Sequence, residues 1–195
     1  MTPSPDTVPV RCFGTGDPLM ERYHDEEWGR PVHDDLGLFE HLALEGFQSG
    51  LSWTVVLRKR ETFRTAFAGW DPRRIALFEE RDLERLLADP GIVRNRRKIE
   101  ATITNARALV RLWDSGGSLD ALMWAHAPAR RRPGRLAAWS DVPTQTDESR
   151  ALAKDLKANG FVFVGPVTMY ALMQACGLVD CHFERCGAQP ATALD

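Results

Sequence analysis

Apolar residues recur along this chain at three- and four-residue intervals, the spacing of one face of an α-helix. Asp17-Pro18 reads as a cap followed by a first-turn proline and predicts a helix through LMERYHDEEW. Asp34 caps a second helix through Gly46, Ser52 a third, WTVVLRKRETFRTAF, and Asp71-Pro72 opens a fourth. RDLERLLA is short and amphipathic. NRRKIEATITNARALVRLW is long, with Ile99, Ile103, Ala106 and Val110 on one stripe. Ser118 begins a short helix, Asp147 opens ESRALAKDLKANG with Gly160 as its stop, and a last helix runs through PVTMYALMQACGL. FVFVG has strand character but no partner strand, so it reads as an extended connector. Residues 126–146, with Pro128, Pro133 and Pro143, read as an extended excursion. The class is all-α.

Composition narrows this picture. The 195 residues are 44% apolar, enough for a substantial core. No apolar run is long enough to span a bilayer, and no signal peptide is visible, so a cytoplasmic protein is expected. Residues 1–9 and 188–195 read as flexible tails around one unit, 10–187. A net charge near −2 argues against a broadly cationic nucleic-acid coat. The charge is uneven, however. Between Gly91 and Arg135, ten basic side chains stand against three acidic ones. That surface suits either solvent or phosphate.

Three clusters carry candidate chemistry. Leu38, Leu42 and Glu45 share one helical face, which places a carboxylate on a surface that otherwise reads as core. Gln48, Trp53, Tyr23 and Trp28 lie in the adjoining aromatic-polar stretches. Together they suit a flat heterocycle, although each alone reads as ordinary packing. At the two ends, Cys12 and His24 can join His182 and Cys186 in a closed Cys2His2 zinc site, which would staple the termini without performing chemistry. Buried thiols with surface imidazoles are the plain alternative. Cys181 is a competing ligand, and Asp180 a candidate to orient the site. Finally, LLADPGIVRNRRKI joins two helices through a short glycine-containing turn, residues 86–99. Its backbone N–H groups, with Arg94 to Lys98 nearby, can face a phosphate.

The order of the motifs RCFGTGDPLMERYHDEEWG, LFEHLALEGFQSGLSWTVVLRKRE, GIVRNRRKIEATITNA and GFVFVGPVTMYALMQACGLVDCH resembles the DNA-3-methyladenine glycosylase I family from about Val10 to Cys186. The resemblance implies a helix-hairpin-helix fold, with a helical core over about 34–160 and terminal segments 10–30 and 161–187 joined by one structural zinc on Cys12, His24, His182 and Cys186. It implies a monofunctional enzyme that flips and excises 3-methyladenine from double-stranded DNA, without lyase activity; nothing in the sequence points beyond a monomer. Glu45 matches the pocket acid, Tyr23 and Trp53 the aromatic base contacts, Gly50 and Leu51 the loop that enters the duplex, and the turn at Gly91 the backbone anchor. Phe13 and Met20 depart from the family's aromatic positions, and Cys181 stands where relatives tend to carry an acid or amide. A zinc-stapled binder of alkylated DNA that cleaves nothing is the competing reading.

Overall fold

The computed structural model describes residues 10–130 and 136–188. The tail expected at 1–9, all but Ala188 of the tail expected at 188–195, and Arg131, Arg132 and Arg135 lie outside the described residues. The described chain is helical: α1 Pro18–Glu26, α2 Asp35–Gln48, α3 Trp53–Arg58, α4 Arg60–Ala66, α5 Pro72–Ile75, α6 Glu80–Ala88, α7 Arg96–Asp114, α8 Leu119–Trp124, α9 Asp147–Ala158 and α10 Pro166–Ala175. Its one β-type pairing is an isolated parallel bridge between Val10 and Cys186, which ties the two ends together. Among the described residues no helix is long and apolar enough to cross a membrane.

Helix α2 is the hub. Asp34 caps it through Gly37 N–H at 2.7 Å, and every residue from Leu38 to Glu45 is buried. More than two turns buried on all sides require neighbours all round, and α3, α7, α8 and α10 supply them. The α2 N-terminus is pinned by the Asp35 carboxylate, which accepts from Leu119 N at 2.9 Å, Asp120 N at 2.8 Å and Trp113 Nε1. One side chain thereby joins the start of α2, the end of α7 and the start of α8.

Local signals missed several boundaries, three of them instructive. The long third helix is broken at Lys59 (φ −100°, ψ 3°) into α3 and α4, and Ser52 begins α3 without a side-chain cap. The break follows from tertiary contacts. Lys59 Nζ donates to Pro90 O at 2.7 Å, and the new axis aims Arg60 at Glu27 (2.6 and 2.7 Å) and Glu40 (2.7 Å). Thr146, rather than Asp147, caps α9 by accepting from Ser149 N. Helix α10 stops at Ala175 because the carbonyls of Ala175 and Cys176 accept from Gly29 N and Val32 N instead of continuing the helix. FVFVG is an extended connector without a strand partner, as its isolation predicted.

Arg60 joins α1, α2 and α4 through two acids, and Arg64 adds a bidentate contact to Glu40 at 3.0 Å. Burial by itself would raise the Glu40 carboxyl, but Arg60 and then Arg64 outweigh it and hold it below the ordinary value. Removing Arg60 leaves the buried Glu40 carboxylate to the more exposed Arg64. Arg60→Ala should therefore cost about 3–5 kcal/mol in urea unfolding.

Candidate functional site

The last turn of α2 and the first turn of α3 meet α1 and α10 around a cavity of about 320 Å³. Glu45 and Gln48 come from α2, Trp53 from α3, Met20 and Tyr23 from α1, and Ala171 and Gln174 from α10. Phe13, Trp28 and Trp139 complete the wall. Tyr23 and Trp53 rings lie 5.1 Å apart, tilted by 42°. All five residues expected around a planar ligand therefore line one cavity. Trp139, Ala171 and Gln174 were not anticipated. Gln174 is a polar residue in a mostly apolar helix, and Trp139 a lone aromatic in a proline-rich excursion; those were the available signals.

Glu45 is 5% exposed, and no hydrogen bond or ion pair reaches its carboxyl among the described residues. Burial pushes it up to about 8. Tyr23 is pushed well above its ordinary value, first by burial and then by the negative charges of Glu45 and Glu27, so its hydroxyl stays protonated. The Trp53 indole N–H is buried without a partner. The cavity thus presents an acid, a hydroxyl and an indole donor to a ligand, and leaving the fully buried indole N–H unpaired is costly unless a ligand uses it.

The segment that closes the cavity on one side is tightly organised. Gly50 turns the chain with φ +79°, Leu51 N donates to Gln48 O at 2.7 Å, and Gln48 Nε2 returns a bond to Leu51 O at 3.2 Å. Leu51 is 39% exposed. Lys98, expected to meet phosphate, instead turns its ammonium inward and donates to Phe47 O at 2.8 Å and Ser49 O at 2.5 Å. It satisfies carbonyls at the α2 C-terminus, where positive charge is favoured. In the α6–α7 turn, Gly91 N is also occupied, by Asp89 Oδ1 at 2.7 Å. A Cβ at Gly91 would meet that oxygen at 2.9 Å and Thr62 at 3.1 Å, so a side chain here would have to displace the Asp89 carboxylate. Arg94 is exposed beside it.

Beyond Trp28 lies the second cluster. Ligand atoms of Cys12, His24 and Cys186 all lie within 4.8 Å of one another. His24 Nδ1 bonds Asp25 at 2.8 Å, which fixes the proton there and leaves Nε2 as an acceptor, taking the Cys12 backbone N–H at 3.2 Å with Cys186 Sγ at 3.4 Å. Asp25 is itself gripped by Arg11, whose hydrogen bonds hold its carboxyl below the usual value. His182 falls outside the close group. Its Nδ1 is tethered to Asp180 at 2.9 Å, and its ring packs 4.6 Å from Trp28 and 5.3 Å from His24. Two thiols and an imidazole, each histidine oriented by a carboxylate, fit a soft divalent metal. Burial pushes the Cys12 thiol up to about 12, and a bound dication would reverse that balance. Cys181 instead bonds Tyr170 at 3.5 Å.

A raised carboxyl carries a signed stability cost. Stability is complete below the ordinary Glu value of 4.5 and falls as pH rises through about 8, because the unfolded chain ionises first. Glu45→Gln should therefore be more stable than the parent by roughly 3 kcal/mol at pH 7. That advantage should vanish near pH 4.5 when urea unfolding is compared across the range.

Comparison with known proteins agrees with this architecture. The family model described as "Methyladenine glycosylase" matches residues 13–189. DNA-3-methyladenine glycosylase 1 of Escherichia coli (strain K12) is 45% identical over 181 residues, covering 92% of this chain and 97% of the relative. A crystal structure of 3-methyladenine DNA glycosylase I superposes with a TM-score of 0.89 at 46% identity, covering 93% of this chain and all of that one. A tyrosine-to-phenylalanine variant of 3-methyladenine DNA glycosylase I in complex with 3-methyladenine has a TM-score of 0.87 at 36% identity, covering 93% of this chain and 98% of the other. By the extent of these matches, the chain belongs to the methyladenine glycosylase family.

Proposed function

We propose that this protein is a monofunctional DNA glycosylase that hydrolyses the N-glycosidic bond of 3-methyladenine in alkylated double-stranded DNA. The observation that carries the reading is the unpaired, buried Glu45 in an aromatic cavity, in a family with a relative that binds 3-methyladenine. The base leaves the helix and enters the cavity. Methylation at N3 makes it cationic while still attached to the sugar, so it departs readily. The bond between C1′ and the base nitrogen breaks, its electron pair stays with the base and neutralises it, and water adds to C1′ with loss of a proton.

The cavity's task is discrimination. A cation entering beside Glu45 draws the carboxyl into its ionised form, which accepts from the exocyclic amine, while a neutral base gives no such return for the buried charge. Aromatic faces favour the cation in the same way. The Tyr23 hydroxyl and the Trp53 N–H supply donors to base-edge acceptors. Gln48 shares its amide with Leu51, which couples occupancy of the cavity to the loop. Among the described residues no lysine lines the cavity, in keeping with hydrolysis without a Schiff-base step.

Gly50 and Leu51 enter the gap left by the base, with Lys98 holding their loop in place from within the protein. Arg94 and the Gly91 turn take the DNA backbone. One zinc ion on Cys12, His24, His182 and Cys186 joins the chain ends, and with four protein ligands it supplies stability alone. His182 must move in toward the other three to complete the set.

Released bases should be separated by chromatography after incubation with methylated duplex DNA. Free 3-methyladenine is expected from the parent, with kcat/KM rising through about pH 8 as Glu45 ionises; Glu45→Gln should lose both the activity and the rise. Tight binding of the DNA with no base released would establish the non-cleaving alternative. Atomic emission should find one zinc per chain. Chelation should lower the melting temperature, while base release continues for as long as the protein stays folded.

A further inference from the structure

Trp139 is the one aromatic of the cavity wall supplied by the proline-rich excursion, and it is unlike the others. It is 44% exposed, whereas Tyr23 and Trp28 are 5% and 6% exposed. Its surroundings nevertheless hold it in place. Nε1 donates to Cys12 O at 3.0 Å, so its polar atom is satisfied. Its ring meets Phe183 at 5.3 Å and Phe13 and Trp28 each at 6.1 Å. The short 3-10 turn Trp139–Asp141 is braced by the Asp141 carboxylate, which accepts from Ala137 N at 2.9 Å and Ala138 N at 3.0 Å. Leu136, buried just ahead of it, accepts from Glu184 N at 3.0 Å. A large indole is thus fixed at the cavity rim with uncovered apolar surface.

We propose that Trp139 contacts the bound base directly and sets the preference for a cationic purine, a role that rests on the glycosylase function above. An indole presents the most favourable aromatic face for a cation. Because the ring is already held, little side-chain freedom is lost when a ligand covers it. Trp139 and Glu45 then act on the same property of the substrate from different elements, one through its π-face and one through its charge. A neutral purine gains from contact area with Trp139 but not from its quadrupole.

Two variants separate contact from scaffolding. Trp139→Phe and Trp139→Leu both lose the hydrogen bond to Cys12, and only the first keeps an aromatic face. Release of 3-methyladenine from methylated DNA should fall about 10-fold in kcat/KM for the leucine variant and within about 3-fold for the phenylalanine variant. Melting temperature and zinc content should match between the two. In the parent, NMR should show intermolecular NOEs from the methyl group or ring protons of added 3-methyladenine to the Trp139 ring. Equal losses in both variants would assign Trp139 to scaffolding and overturn the proposal. So would parent-like activity in both, with NOEs reaching Trp53 but not Trp139. In either of those cases base release by the parent leaves the glycosylase reading standing, whereas a parent that releases and binds no base defeats both.

Discussion

A carboxyl group at the end of a helical stretch with no solvent-facing side, Leu38 to Glu45, is the constraint around which this molecule is organised. Glu45 is desolvated because α2 is enclosed by α3, α7, α8 and α10 over more than two turns. The helix is held at both ends by side chains from elsewhere. Asp35 at its start accepts from the α7–α8 junction, and Lys98 from α7 satisfies carbonyls at its end. The local dielectric around the acid, and hence its raised affinity for protons, is a consequence of that enclosure. An acid on a frayed or partly solvated helix would stay ionised and distinguish a cation from a neutral ring far less sharply.

The same enclosure separates two kinds of electrostatics. On the far side of α1, Arg60 and Arg64 neutralise Glu27 and Glu40, so that those acids work as cross-braces between helices. Glu45, one turn beyond His41 on α2, receives no such cation. Two buried glutamates on one helix, five residues apart, therefore have opposite characters: Glu40 is held below its ordinary value and Glu45 above it. The difference lies in the partners, not in the residue type.

The two ends of the chain contribute to the cavity as well as to the metal-binding cluster. Trp28 packs on His182 and on Phe13, and Trp139 bonds the carbonyl of Cys12, so the aromatic wall rests on the residues proposed to hold zinc. Stapling the termini and shaping the base pocket are in this sense one structural task. A shift of the N-terminal segment would move Phe13 and Trp139 together.

Helical periodicity, capping residues and proline positions determined the all-α class and most helix starts by themselves, because those signals act within a few residues. They also marked Glu45 as an acid on a core face and gathered the ligand-type residues at the two ends. What only tertiary structure decided involves partners distant in the chain. Lys59 breaks a helix that its own sequence would continue, because Pro90, Glu27 and Glu40 reward the new direction. Lys98 turns from the expected phosphate surface toward Phe47 and Ser49, about fifty residues earlier, because helix-end carbonyls need a donor. Trp139 is held at the cavity by the carbonyl of Cys12, 127 residues earlier in the chain, and by the ring of Phe183. Periodicity records which face of an element is buried, but not which distant element buries it, and the environment of every group in this cavity depends on the second.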